Sequence, residues 1–114
     1  DTAEDLSHFP LLFLVELSRH LGIDPEPPAD DADHFDLREG RFVATSRAHG
    51  HVIGPPQSLA LAELLRAGPG AVGALRIPGP VRRVLLDQLL LYYRMHLEGL
   101  GELRSPAVLH QVLG

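Results

Sequence analysis

The chain has 114 residues, a formal net charge of −5, ten positive residues that are all arginine, and no cysteine. A domain of this length buries about two-thirds of the surface that its unfolded chain exposes, so it needs no covalent staple. The lack of thiols excludes disulfides and thiolate zinc sites, and no run of about 18 apolar residues marks a membrane span. Length and composition therefore predict a single soluble domain, intracellular by default.

Charge is divided unevenly along the chain. Residues 1–40 carry a net charge of −9 and residues 41–114 a net charge of +4. The second half could meet nucleic acid or an acidic peptide, but a charge of +4 is too small to indicate a DNA-binding domain by itself. Because the chain opens on Asp1 rather than methionine, we expect it to be a fragment of a longer protein.

The first predicted helix runs from about Ser7 to Leu21. Its apolar residues recur at helical spacing, Ser7 is a plausible N-cap and Gly22 a stop signal. Pro10 is tolerated only in the first turn, and it would kink a helix that begins earlier.

An acidic, proline-rich stretch, DPEPPADDAD, then spans Asp24–Asp33. It lacks the spacing and the glycine of a calcium-binding loop and is typical of an exposed loop. Alternation around Arg38–Gly40 next predicts a β-hairpin with strands His34–Leu37 and Arg41–Val43. We expect its Phe35, Leu37 and Phe42 to face the helices.

The segment Ser46–Gly54 contains histidines that could belong to a metal site. His49 and His51 lie two residues apart and follow His34 and Asp36. No further ligand follows at metal-binding spacing, so a loop is the favoured interpretation and no metal is expected.

A second helix is predicted over Pro55–Ala67, where two prolines precede a leucine-rich stretch that a Gly-Pro-Gly sequence ends. Ala71–Gly79 contains three helix breakers and leaves room for at most one turn. A last helix is predicted to open at Ser105–Pro106 and to fold back on the core.

The longest predicted helix covers Pro80–Leu97, with Arg83, Asp87 and Arg94 as a narrow polar stripe. Because most of its circumference is apolar, including Leu90 and Tyr93, it is predicted to be a central helix that the others surround. The expected fold is mainly α: one domain over residues 1–114, with about four helices and a hairpin and loop insertion at about 24–54.

No motif indicates catalysis. The sequence has no phosphate-binding glycine loop, nucleophile elbow or pair of carboxylates on convergent elements. Tyr92, Tyr93 and His96 could stack on bases or transfer protons, but on so apolar a helix they are more often core residues. The residues alone therefore predict a helical binding or scaffolding domain without cofactors, and not an enzyme.

Three stretches carry a family resemblance. YYRMHL at Tyr92–Leu97 and GELRSPAVL at Gly101–Leu109 resemble the C-terminal signature of the RecO family of bacterial recombination mediators. HFDLREGRF at His34–Phe42 resembles the hairpin after that family's first C-terminal-domain helix. The order of the elements agrees too, and the resemblance covers nearly the whole chain.

The resemblance implies the helical C-terminal domain of such a protein. The family's N-terminal OB-fold, a major nucleic-acid-binding part, would be absent from this fragment. Many relatives carry a four-cysteine zinc finger where the hairpin and His49 lie here, so this chain would be a zinc-free variant.

The function that follows from the resemblance is non-catalytic DNA repair in the RecFOR pathway, in the bacterial cytoplasm at the nucleoid. Such proteins partner RecR, anneal strands, and help to load RecA on single-stranded DNA coated by single-strand-binding protein. The DNA contacts would lie mainly in the missing domain. The helical domain is associated with docking the acidic, hydrophobic C-terminal tail of single-strand-binding protein, and no membrane is involved.

Arginines of the basic half are the expected partner-binding residues, because they can pair with carboxylates at a groove edge. They are Arg76, Arg82, Arg83, Arg94 and Arg104. The alternative interpretation is a generic helical scaffold without a nucleic-acid role, in which a second copy covers the apolar excess of Pro80–Leu97.

Overall fold

In a computed structural model of the chain, residues 2–28, 31–44, 50–67 and 75–98 are described, residues 2–7 by their main chain alone. Three helices and a three-stranded sheet lie in these ranges: α1 (Thr2–Leu21), β1 (His34–Asp36), β2 (Arg41–Val43), β3 (Val52–Ile53), α2 (Gln57–Ala67) and α3 (Gly79–Glu98). The mainly helical class is confirmed. The fourth helix predicted from Ser105 falls outside the described residues. No helix in the described part of the chain is long and apolar enough to cross a membrane.

Helix α1 begins five residues before its predicted start, so Pro10 lies inside the helix rather than in its first turn. The sequence of the first turn, TAED, is acidic, as helix N-termini favour. At the other end Gly22 has a positive φ of 74°. The amides of Gly22 and Ile23 bond the carbonyls of Arg19 and Ser18, which is the Schellman arrangement. The predicted C-terminal stop is therefore confirmed.

The predicted hairpin forms, with β1 antiparallel to β2 and Phe35 opposite Phe42. A third strand was not predicted from the sequence. Val52–Ile53 lies in the predicted loop but pairs with the other edge of β1. Two residues are too few for a visible alternation, and the pairing depends on contacts that are distant in sequence. The sheet faces the helices through Phe35 and Leu37, which are buried, while Phe42 is partly buried.

Helix α2 starts at Gln57, two residues later than predicted. Pro55 and Pro56, joined by a cis peptide, precede it. The Ser58 hydroxyl, fully buried, donates to the Asp33 carbonyl at 2.5 Å. This bond attaches the N-terminal turn of α2 to the chain segment that leads into the sheet.

Helix α3 has the predicted bounds within one residue, but the prediction of a surrounded central helix is not supported. It buries one face, centred on Leu85, Leu89 and Tyr92, against α1, α2 and the sheet. Leu90 is 46 % exposed because it lies within the polar stripe of Arg83, Asp87 and Arg94. Leu90 lies three residues after Asp87 and four residues before Arg94, about one helical turn from each. It therefore faces solvent as they do.

Candidate functional site

The region around the N-terminus of α3 combines arginines with apolar clefts. The chain enters it through Leu75–Pro78, an irregular segment in which Leu75 and Ile77 are buried while Arg76 and Pro78 are exposed. This alternation is that of an extended chain on a core. Burial of its apolar residues therefore turns Arg76 outward.

Arg82 and Arg83 lie in the first turns of α3, close to Gly79. A Cβ placed on Gly79 would lie 3.5 Å from the Arg82 Nη2 atom and 3.4 Å from the Arg83 Nη1 atom. Arg82 also donates from Nη1 to the main-chain carbonyl of Ile77. The two guanidinium groups thus flank a helix N-terminus, whose main-chain N–H groups add to the positive potential.

A cleft separates these arginines from α1, and we call it the α1 cleft. It has a volume of about 210 Å³ and is lined by Pro10, Leu11, Gly79, Arg82, Arg83 and Leu86. Its walls are apolar except for the guanidinium groups.

A larger groove, the α2 groove, lies between α2 and the segment that leads into α3. Its volume is about 400 Å³, and its lining is Pro56, Leu59, Ala60, Ala62, Glu63, Arg66, Arg76, Ile77, Pro78 and Val81. Leu59 is 51 % exposed and offers an apolar wall. Arg66 and Arg76 are exposed on the lining, with Glu63 as its single acid.

Sequence reasoning missed Arg66. A helical wheel of α2 groups it with Leu59 and Glu63, since the three are spaced i, i+4 and i+7 on one face. This spacing is visible in the sequence. It indicates a site only together with Arg76 across the groove, and no local pattern predicts where Arg76 lies.

Of the other two predicted site residues, Arg94 is not brought to this end of the molecule. Arg94 is exposed on the polar stripe, 11 residues beyond Arg83 and hence about 16 Å along the helix axis. Arg104 lies outside the described residues. The structure thus brings together Arg76, Arg82 and Arg83 of the predicted set and adds Arg66.

The C-terminal half of α3 has the opposite electrostatic character. A cavity of about 430 Å³ there is bordered by the carboxylates of Asp24, Glu26 and Glu39, with Arg41 as its single arginine. Acidic ligands would be repelled at this end and attracted at the other.

Tyr92 and Tyr93 are core residues, as the favoured interpretation had it, being 1 % and 7 % exposed. Their hydroxyls donate to the carbonyls of Ile23 and Leu14, respectively. Burial, with a smaller contribution from Asp24, raises the pKa of Tyr92 far above its usual value. Burial also raises the pKa of Tyr93 to about 12. Both rings are therefore held neutral in structural roles.

His96 is likewise satisfied structurally, because its Nε2 lies 2.7 Å from the Leu37 carbonyl and its ring packs on Tyr92 at a centroid distance of 4.0 Å. Of the residues considered for a metal, Asp36 accepts the amides of Arg38 and Glu39 in the hairpin turn. His34 bonds Asp33 at 2.8 Å, and His49 is outside the described residues. In the ranges that the structure describes, no three histidine, aspartate or glutamate residues are grouped as metal ligands.

The α3 N-terminus carries groups whose chemistry suits the recognition of an anion with an apolar neighbour. Guanidinium groups pair with carboxylates through two parallel N–H donors, and an adjacent apolar groove excludes water from a hydrophobic anchor.

Comparisons with known proteins give one consistent family. The chain is 32 % identical over 114 residues to a protein of Christiangramia forsetii named DNA repair protein RecO, covering all of this chain and 47 % of that protein. A Porphyromonas gingivalis protein of the same name is 36 % identical over 107 residues, covering 91 % of this chain and 44 % of its own length. A third, from Azobacteroides pseudotrichonymphae, is 30 % identical over 110 residues, covering 96 % and 46 %.

No family model and no solved structure matches the chain. The chain spans about half the length of the curated relatives that it matches. Since several relatives of one name align along nearly its whole length, the predicted resemblance is confirmed: the chain belongs to the RecO family of DNA repair proteins.

Proposed function

We propose that the chain is the helical C-terminal domain of a RecO-type recombination mediator, and that it acts in DNA repair by docking partners without catalysis. In this proposal it binds the acidic, hydrophobic C-terminal tail of single-strand-binding protein. It also cooperates with RecR in loading RecA on single-stranded DNA and in annealing strands. Direct contacts with DNA belong mainly to the remainder of such a protein.

The observation that carries the proposal is the arginine cluster at the N-terminus of α3, formed by Arg66, Arg76, Arg82 and Arg83 beside two apolar clefts. We assign the hydrophobic end of the tail to the α2 groove, which has nearly twice the volume of the α1 cleft. The acidic residues of the tail then pair with the cluster. Charge attraction supplies encounter rate and orientation, and burial of the anchor supplies most of the affinity.

Titration of a labelled tail peptide, followed by fluorescence anisotropy, tests the proposal. We expect a Kd of about micromolar magnitude at low salt, weakening as salt screens the cluster. Arg82→Glu combined with Arg83→Glu should raise the Kd by about tenfold or more. Arg38→Glu combined with Arg41→Glu, on the hairpin, changes the net charge equally and should leave the Kd within about twofold.

An equal loss of binding in both double variants would show that the peptide binds by unspecific charge attraction, and it would contradict the assigned site. Loss in neither variant would place the docking site elsewhere. Absence of binding by the wild-type chain at low salt would contradict the proposed function.

One observation favours the scaffold alternative. Phe9 and Phe13 on α1 are 60 % and 53 % exposed, and their rings stack with centroids 6.1 Å apart. Exposed aromatic pairs are typical of interfaces. A sedimentation mass that rises with concentration, and that Phe9→Ser with Phe13→Ser returns to the monomer value, would support self-association in place of a monomeric docking domain.

A further inference from the structure

His8 is a buried polar residue that the proposed docking function does not use. Its side chain is 1 % exposed on the inner face of α1. The Nε2 atom of its ring lies 3.1 Å from the main-chain nitrogen of Ile77, 69 residues later. An imidazole in this position links α1 directly to the segment that leads into α3.

The direction of this hydrogen bond selects the tautomer of the neutral ring. A main-chain N–H can only donate, so Nε2 must present its lone pair. The neutral ring then carries its proton on Nδ1. The bond is therefore specific to one tautomer of neutral histidine, and an apolar side chain at position 8 could not replace it.

Both main-chain groups of Ile77 are engaged by side chains from different helices. Its N–H donates to His8, and its carbonyl accepts from the guanidinium of Arg82. The segment Leu75–Pro78 has no helix or sheet to define its path. These side-chain bonds, with the burial of Ile77, set where its main chain runs.

Ile77 connects the linings of the two clefts through a hydrogen bond. It lines the α2 groove, while Arg82, bonded to its carbonyl, lines the α1 cleft. Leu11, one turn after His8, lies in the α1 cleft as well. A displacement of Ile77 would therefore change the width of the groove and the direction of the Arg82 guanidinium together.

We propose that His8 is a positioning residue for partner docking, which holds Ile77 so that Arg82 and the α2 groove are preorganised for an acidic, hydrophobic peptide. The inference rests on the proposed function for its biological meaning. Arg82 has five N–H donors, and the bond to Ile77 uses one of them. A guanidinium held in this way pays less conformational entropy when it binds a carboxylate.

The test compares His8→Met with His8→Gln in the full chain. Methionine keeps much of the volume but removes the acceptor, whereas the glutamine amide oxygen reaches about as far as Nε2 and can accept from Ile77. We expect His8→Met to speed amide hydrogen exchange at Ile77 by about tenfold, from the loss of one hydrogen bond and its local order. We also expect it to raise the Kd of the tail peptide about fivefold, with the glutamine variant close to wild type in both.

Unchanged exchange at Ile77 in His8→Met would contradict the inference. Faster exchange with an unchanged Kd would also contradict it, since the role of His8 would then be structural only. If His8→Met does not fold, the hydrogen bond between His8 and Ile77 can still be tested in the wild-type chain. Imidazole nitrogen NMR must then show the Nδ1–H tautomer and a coupling between His8 Nε2 and the Ile77 amide, and the opposite tautomer overturns the inference.

The proposed function can fail separately. If the wild-type chain binds no tail peptide, the docking proposal falls. The positioning role is then tested by the Arg82 side-chain N–H resonance, which should shift in His8→Met. An unshifted resonance would contradict that role.

Discussion

Leu89 and Leu90 are adjacent leucines with opposite environments, since Leu89 is 2 % exposed and Leu90 is 46 % exposed. Their hydropathy is identical, so composition could not separate them. The sequence-based expectation that Leu90 is buried is wrong, because it gave more weight to residue type than to the place of Leu90 between Asp87 and Arg94.

These two residues give a matched pair of variants. Leu89→Ala should destabilise the chain by about 2 to 5 kcal/mol, because it opens a cavity in the core. Leu90→Ala should cost under about 1 kcal/mol, because half of its side chain already contacts water. Urea denaturation of both variants measures the difference, and similar losses for the two would contradict the orientation of α3.

At the scale of elements, the hairpin is held to α3 by close packing around Gly40. Gly40 has a φ of 73°, and a Cβ placed on it would lie 3.0 Å from the Tyr92 hydroxyl oxygen. The hydroxyl itself bonds the Ile23 carbonyl, so it cannot move without losing that partner. The turn therefore requires glycine for its backbone conformation and for space.

Gly40→Ala should cost about 1 to 2 kcal/mol for the left-handed conformation alone, and more if Tyr92 is displaced. Gly50→Ala is the control, since Gly50 is exposed and a Cβ there meets nothing within 4 Å. Thermal denaturation of the two variants is the measurement. Equal melting temperatures would show that the hairpin turn does not pack against Tyr92 as described.

Local signals predicted most elements, and the errors have physical causes. Gly22, the prolines before α2 and the Arg38–Gly40 turn act within a few residues, so their effects are visible in the sequence. The start of α1, the pairing of Val52–Ile53 and the exposure of Leu90 depend on tertiary packing. The candidate site divides in the same way, because Arg82 and Arg83 share one helix turn whereas Arg66 and Arg76 meet only through the fold.

At the scale of the molecule, the two tyrosines tie α3 to α1 and to the residues that follow α1. Raised pKa values mean that the folded state keeps phenolic protons that the unfolded state loses near pH 10.0. Their contribution to stability is full below that pH and declines as pH rises toward about 12, the raised pKa of Tyr93. Because the chain has no lysine or cysteine, few other groups titrate in this range.

We therefore expect the free energy of unfolding to fall between pH 10.0 and about pH 12 in the wild-type chain. The Tyr92→Phe and Tyr93→Phe double variant should be less stable at neutral pH by about 1 kcal/mol for each lost hydrogen bond. Its stability should vary much less with alkaline pH. Denaturant unfolding at a series of pH values measures both, and parallel pH profiles for the two chains would contradict the buried, neutral state of the rings.

The two ends of α3 are surrounded by side chains of opposite charge. Four arginines and one glutamate surround the clefts at the N-terminus of α3, while three carboxylates and one arginine surround the cavity at its C-terminal half. This distribution would orient an acidic partner before contact. The docking proposal follows from this polarity together with the apolar α2 groove.

NMR chemical-shift mapping with the tail peptide of single-strand-binding protein tests the central claim most directly. We predict saturable shifts in the α2 groove, at residues 56–66 and 75–82, and unchanged resonances in β1 and β2. A peptide lacking its last hydrophobic residue should shift the arginines less and leave Leu59 unperturbed. Shifts centred on the acidic cavity or the hairpin, or no saturable shifts at all, would contradict the account.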